Sequence, residues 1–280
     1  MSEPTPATQP TDTSAAALDA APRKRRPPRR VEVSHVQVLS PAMRRITLRG
    51  AELEGFEPTA PASYLKLIFP EPGQSEPARP LPDAPRPTAM RTYTPLAIRP
   101  ALHEVDVDFV LHGVGPASTW AAQAQIGQVL YLMGPGPGYA VDTSARQHLL
   151  LADDSALPAV ETILATLPAS ADVQVLLEVI SASEERPLTS PATLKVQWLP
   201  RGTDHRSAGQ PLEKAVLALH AAQPIVSGTK IYLACEAAAM RRIRKLLTEQ
   251  LGIERSHIVG RGYWKLDTVN HPDHDYGEDA

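Results

Sequence analysis

A chain of 280 residues is long enough for two domains, each burying its own core, which excludes a single small stapled module. Hydrophobic residues make up 42% and charged residues 21%, an ordinary globular balance, and no apolar run reaches the roughly 18 residues a membrane span needs. The single cysteine, Cys235, excludes an internal disulfide, a cysteine zinc site and a cysteine-held iron–sulfur cluster, and it suits a reducing, cytoplasmic compartment.

The net charge of -3 hides an asymmetry, because residues 1–30 hold six basic residues (Arg23, Lys24, Arg25, Arg26, Arg29, Arg30) against three acids and leave -6 for the remainder. A mildly acidic body is not expected to bind nucleic acid broadly. The opening stretch MSEPTPATQPTDTSAAALDAAP has almost no large apolar residues to offset its ordering entropy, so residues 1–30 are predicted to be a disordered tail. RKRRPPRR reads as a solvated arm or as a contact for an anionic surface or nucleic acid. No apolar segment follows it, which argues against a secretory or twin-arginine signal.

From Val31 to about Gly134 short alternating runs predict six strands: Val31–Leu39, Arg44–Arg49, Tyr64–Phe69, Arg91–Thr94, Glu104–Leu111 and Val129–Met133. Six short strands without a convincing helix suggest a small closed barrel. The segment Pro70 to Ala89 is too proline-rich to continue a sheet and reads as a surface loop. After His148 strands and helices alternate: HLLLA, Leu157–Leu167, VQVLLEVI, KVQWLP, Leu212–His220, KIYLA, Ala237–Leu251 and HIVGRGYW. Those strands are apolar on both faces, as a parallel sheet covered by helices requires. The fold predicted is an all-β barrel domain (31–140) followed by an α/β domain (141–265), with a C-terminal tail at 266–280.

Two segments of the barrel carry chemistry. In Arg91-Thr92-Tyr93-Thr94, alternate residues of a strand share a face, so Arg91 offers a forked donor to a phosphate while Tyr93 offers a ring to an aromatic cofactor. An exposed barrel arginine explains Arg91 equally well. Some 18 residues on, by the numbering, His112-Gly113-Val114-Gly115-Pro116-Ala117-Ser118 leads into a helical AAQAQ. Glycines at a strand end admit a ligand close to the backbone, and helix-start amides hold an anion. Ser118 also reads as a helix N-cap.

These two motifs, in this order, resemble the siderophore-interacting proteins, a branch of the ferredoxin-reductase-like flavoproteins. The resemblance extends through LLLADDSALPAVETILATLP, VQWLPRG, YLACEAAAMRRIRKLLTEQLGI and GRGYWK, and covers nearly all of residues 31–271. It implies a ferredoxin–NADP reductase-like architecture, FAD, and NADPH or NADH as electron donor. Carried over to this chain, it implies that Arg91, Thr92, Tyr93 and Thr94 meet the flavin and pyrophosphate, and that His112, Gly113, Gly115, Ala117 and Ser118 form the cofactor-side turn. Asp153, Ser155 and Ala156 lie where a first α/β strand hands over to a helix, the usual place for a nucleotide. A helix start explains the same residues. Glu236, after Cys235, lies where the wider family brings residues towards nicotinamide and flavin. Cys235 also reads as a buried apolar residue. Arg241, Arg242 and Arg244 suit a 2′-phosphate or a solvated helix face. His271 and His274 read as solvated residues of an acidic tail rather than metal ligands.

The activity implied is reduction of a ferric siderophore to release Fe(II), with electrons passing directly from the flavin and no side chain needed as acid or base. Lys66, Arg261 and Lys265 are implied as a basic mouth for an anionic chelate; Lys66 is equally an outward strand lysine. The alternatives are a general NAD(P)H–flavin oxidoreductase feeding another redox partner and an iron-responsive nucleic-acid-binding protein. No membrane partner is expected.

Overall fold

In the computed structural model, which describes residues 27–268 apart from 59, 82–84, 86 and 114, the chain opens on strand β1 (Arg29–Ser40), where buried Arg29, Val31 and Val33 alternate with exposed Arg30 and Glu32. The sheet therefore starts two residues before the predicted Val31. Arg29 stays buried because its Nη1 donates to the Gly134 carbonyl at 3.0 Å and its guanidinium lies 5.5 Å from the Phe56 ring centroid. The expected tail loses residues 29–30 to the fold, and residues 1–26 lie outside the described residues.

β2 (Met43–Arg49), β3 (Leu65–Ile68), β4 (Met90–Tyr93), β5 (Pro95–Arg99), β6 (Glu104–Val110) and β7 (Val129–Met133) complete an antiparallel sheet in the order β4-β3-β7-β1-β2-β6-β5. Its two edge strands, β4 and β5, are separated along the chain by Thr94 alone, so the sheet curls, but no ladder joins β4 to β5 and the result is a half-barrel rather than the closed barrel expected. β5 is a seventh strand where six were expected. Proline is tolerated at a strand's first position, and Arg99 anchors the far end by donating to Glu104 at 2.9 Å and to Asp106 at 2.6 Å. Inside the curl, Phe69 meets Phe109 and Trp120 of helix α1 (Pro116–Ala122) edge to face and those two rings lie tilted to each other, with centroids 5.3 to 6.3 Å apart. α1 stops before the predicted AAQAQ ends. Arg44 donates there to the carbonyls of Ala121 and Ala122, closing the last turn.

The second half forms an all-parallel sheet, order β10-β9-β8-β11-β12, from β8 (Gln147–Asp153), β9 (Asp172–Val179), β10 (Thr193–Pro200), β11 (Lys230–Glu236) and β12 (Ile258–Trp264). Alternation splits β8 between two cores: Leu150 and Ala152 face α2 (Leu157–Leu164), while Leu149 and Leu151 face α3 (Gln210–Ala222) and α4 (Ala237–Lys245). α2 is shorter than predicted, and α4 gives way at Leu246–Gln250 to a wider turn closed by the Leu251 amide on the Leu246 carbonyl at 3.1 Å. The chain runs outward through β9 and β10 and then returns to the other side of β8. The crevice at this reversal opens outside the carboxyl ends of β8 and β11, where Asp153 and Glu236 stand.

The domains are pinned together by polar contacts. Arg261 of β12 donates to the carbonyls of Ala62 at 3.3 Å and Gly138 at 2.9 Å. Arg186 bridges Asp108 of β6 and Glu161 of α2 at 3.3 and 2.7 Å, and buried Glu184 accepts from the Ala42 amide at 3.2 Å. No helix among the described residues is long and apolar enough to cross a membrane.

Candidate functional site

Arg91 sits in β4 with no carboxylate in salt-bridge range among the described residues; its Nη1 donates to the main-chain carbonyls of Thr88 and Met90 at 3.1 and 2.9 Å. Burial pulls its pKa down, against a smaller upward pull from Tyr93 and Glu71. Two residues on, half-buried Tyr93 lays its ring 4.4 Å from Phe109 and 6.4 Å from Phe69, and burial pushes its hydroxyl pKa up. One side of that ring thus belongs to the barrel core. Thr92 is half-buried opposite Lys66 of β3, and Thr94 is buried.

The glycine turn adjoins this strand. His112 has its pKa lowered by burial, then by repulsion from His205 of the α/β domain and from Arg91, and three residues before it Phe109 lies 4.4 Å, ring to ring, from Tyr93 of the first motif. Gly113 and Gly115 have φ of +80° and +85°, a region that favours glycine. Gly115, not Ser118, is the N-cap of α1 and supplies no side-chain cap, while the Ser118 hydroxyl accepts from the His112 amide at 2.9 Å and so ties the turn shut. Ala117 is buried against the barrel core. The Arg91 donors, the open glycine turn and the tyrosine face fit the pyrophosphate and ring of a flavin dinucleotide.

At the crevice the structure departs from expectation. Asp153, 1% exposed, accepts from the Ser155 amide at 3.0 Å and the Ser155 hydroxyl at 2.5 Å through Oδ1, and from the Glu236 amide at 3.1 Å and Trp264 Nε1 at 2.8 Å through Oδ2. It, rather than Ser155 or Asp154, is the N-terminal cap of the turn leading to α2. The Glu236 carboxylate accepts from the amides of Ala239 at 2.8 Å and Leu266 at 3.3 Å, and Ala156 is fully buried. The side chains of Asp153 and Glu236 are thus engaged by donors of the chain itself and Ala156 is enclosed at the crevice floor; Ser155, half-buried, stands at its rim. Arg242 is engaged with Glu213 at 2.8 Å and the Ala208 carbonyl at 3.2 Å, and Arg244 is buried. Cys235 is buried and apolar in its surroundings. His271 and His274 lie outside the described residues.

Of the expected basic mouth, Lys265 is exposed at the end of β12, and Lys66 holds its ammonium 5.9 Å from the Tyr64 ring centroid. Arg261 points instead into the domain seam. Sequence reasoning missed Arg201, whose side chain is 4% exposed and whose guanidinium lies 3.0 Å from Asp154 and 3.9 Å from Glu178. It also missed His205, set edge-on to Trp264 with centroids 6.3 Å apart. No local spacing signals either residue, because both act through partners remote in sequence.

A curled antiparallel half-barrel joined to a parallel α/β sheet, with a phosphate-type arginine strand and a glycine turn in its first half, is the architecture of the ferredoxin-reductase-like flavoproteins. The FAD/NAD-binding domain of nitric oxide dioxygenase from Vibrio cholerae O1 biovar El Tor shares this fold at a TM-score of 0.60 and 17% identity over 83% of this chain and 97% of that one. Residues 32–139 match the siderophore-interacting FAD-binding domain and residues 145–267 the siderophore-interacting protein family. The chain belongs to the siderophore-interacting proteins. The ferric vibriobactin reductase ViuB of Vibrio cholerae is 31% identical over 248 residues, 85% of this chain and 89% of ViuB. A siderophore utilization protein from T. fusca superimposes with a TM-score of 0.77 at 30% identity, covering 90% of this chain and 98% of that one.

Proposed function

We propose that this protein is an FAD-dependent ferric-siderophore reductase of the cytoplasm, drawing electrons from NADPH or NADH and releasing iron as Fe(II). The observation that carries the reading is Arg91, a half-buried cation with only carbonyl partners, two residues from Tyr93 on the same strand, whose ring meets Phe109 just before the His112 turn. Bound FAD supplies the redox chemistry: it accepts two electrons from a nicotinamide and hands them on singly, as a ferric acceptor requires. The chain's own residues bind and orient. Arg91 and the Gly113–Gly115 turn hold the dinucleotide, Tyr93 and Thr94 border the ring, and Lys265 and Lys66 attract an anionic ferric chelate from the exposed side. Loss of the third coordinating charge on iron weakens its hold on hard oxygen donors, so reduction itself releases the metal.

A general flavin oxidoreductase serving a protein partner is the second reading, since the fold alone permits it. The two are separated by anaerobic stopped-flow mixing of the photoreduced holoprotein with ferric chelates. Fast flavin reoxidation without any protein partner is expected. Reoxidation that requires an added electron carrier overturns the siderophore reading.

A further inference from the structure

Four side chains close an alternating ring of charge across the domain seam, and each domain brings one cation and one anion to it. In the barrel domain Arg45 of β2 holds Asp108 of β6 through two bonds, at 2.7 and 2.9 Å. In the α/β domain Arg186 holds Glu161 of α2 through two more, at 3.1 and 2.7 Å. The crossing contacts are longer: Arg186 stands 3.3 Å from Asp108, and Arg45 stands 3.6 Å from Glu161. Each domain therefore carries a complete ion pair of its own, and docking lays the two pairs head to tail. Parting the domains orphans no charge, so the ring costs little to open. Sliding one domain along the other sets like charge against like, so a single register satisfies it. The Asp108 side chain has no exposure and the other three are 16 to 24% exposed, so salt screens the ring only in part. Beside the ring the seam is not filled by packing but opens as a cleft of about 750 Å³ lined by Leu96 and Ala97 of β5, Ala165 and Leu188. Shape alone does not fix the register there.

Resting on the reading of the crevice as the nicotinamide side of a flavin reductase, we propose that Glu161 and Arg186 are positioning residues that set the register of the α/β domain against the barrel for hydride transfer. Helix α2 transmits that register. It begins at the crevice, directly after the Ser155 turn, and is only eight residues long, about 12 Å at 1.5 Å per residue. Glu161 fastens its second turn to the ring, and Thr162, next in sequence, accepts the amide of Ala62 in the barrel domain at 2.9 Å. Ala62 keeps a left-handed φ of +51° at 2% exposure, a conformation that a non-glycine residue holds only where its surroundings fix it. A nicotinamide at the crevice rim is thus placed against the flavin strand by a short strut whose other end is locked. In the step concerned a hydride leaves the reduced nicotinamide, which ends oxidised, and joins the oxidised flavin, which ends reduced by two electrons. That step needs both domains in register; a ferric chelate meeting the reduced flavin from outside does not.

The test is anaerobic stopped-flow of the FAD-loaded protein with the two half-reactions read apart, for Glu161→Arg combined with Arg186→Glu. The swap keeps an ion pair within the α/β domain but turns it round, setting a carboxylate at position 186 against Asp108 and a guanidinium at position 161 against Arg45. The limiting rate of flavin reduction at saturating NADPH or NADH is expected to fall about ten- to a hundredfold, the cost of roughly 1 Å of misplacement. Reoxidation of the photoreduced variant by a ferric hydroxamate should be unchanged. Amide hydrogen exchange at Ala62, which needs no cofactor, should quicken in the apoprotein as the seam loosens. Equal slowing of both half-reactions, flavin reduction at the wild-type rate, or unchanged exchange at Ala62 overturns the inference while leaving the reductase reading intact; a wild-type chain that takes up no FAD overturns both. Should the swapped protein fail to fold, Glu161→Gln carries the test, because it removes one crossing attraction without adding a repulsion. A smaller slowing confined to flavin reduction is then expected, and an unchanged reduction rate overturns the inference.

Discussion

Trp264 donates its indole N–H to Oδ2 of Asp153 at 2.8 Å, joining the last strand of the α/β domain to its first across 111 positions of sequence. Asp153 thereby gathers donors from the turn after β8, from β11 and from β12 at the crevice, and water cannot replace it at 1% exposure. Asp153→Ala is expected to cost about 3 kcal/mol by stranding several buried donors, and Asp153→Asn, which keeps one acceptor oxygen, less. Urea unfolding of the two variants checks this. Equal midpoints for Asp153→Ala and wild type would show that the aspartate is no support.

The crevice floor also titrates. Burial pushes Glu178 up to about 7, and burial together with the neighbouring Asp153 charge raises Asp154 despite its ion pair with Arg201. A raised carboxyl means that the folded chain holds protons which the unfolded chain has released. Unfolding free energy should therefore fall as pH rises from about 4.5 to about 7 and then level off. Glu178→Gln, which cannot ionise, should flatten this slope, with a difference on the order of 1 to 3 kcal/mol across the window. Urea unfolding at stepped pH measures it; a slope unchanged in the variant would count against a buried, protonated Glu178.

Arg91→Ala should weaken FAD binding by about one to two decades, because a charge-assisted phosphate contact contributes roughly 1.5 to 3 kcal/mol. Flavin fluorescence titration of the apoprotein reads the affinity. The fold should survive, since the guanidinium's own partners are two carbonyls at a strand edge. Unchanged affinity would remove Arg91 from the site.

Lys265→Glu and Lys66→Glu should slow reoxidation by an anionic ferric catecholate far more than by a neutral ferric hydroxamate. The wild-type rate on the anionic chelate should also fall with salt, as the screening length shrinks to about 8 Å near physiological ionic strength. Stopped-flow rates at low and high salt decide the matter. Equal losses on both chelates would mean that the lysines do not steer substrate.

Periodicity alone located the two halves of this chain. Alternation over β1, β2 and β6 and the doubly apolar runs of β8, β9 and β11 report local burial, and local burial is what period-two and continuous patterns encode. The R-x-Y-T strand and the glycine turn were legible for the same reason, since each is a short contiguous piece whose chemistry lies in adjacent residues. Their meeting was not legible, because Tyr93 of the first comes against Phe109, just before the second, only once the sheet curls and brings β4 beside the end of β6. β5 was hidden by Pro95, whose local preference for a break yields to pairing with β6. The partners of the Asp153 and Glu236 carboxylates were not legible either, because Trp264, Ala239 and Leu266 supply the donors only in the completed fold. Arg261 moved from substrate mouth to domain seam in the same way. The difference is physical: strand and turn preferences act over a few residues, whereas the partner of a buried charge is whichever donor the completed fold carries within about 3 Å, the reach of a hydrogen bond.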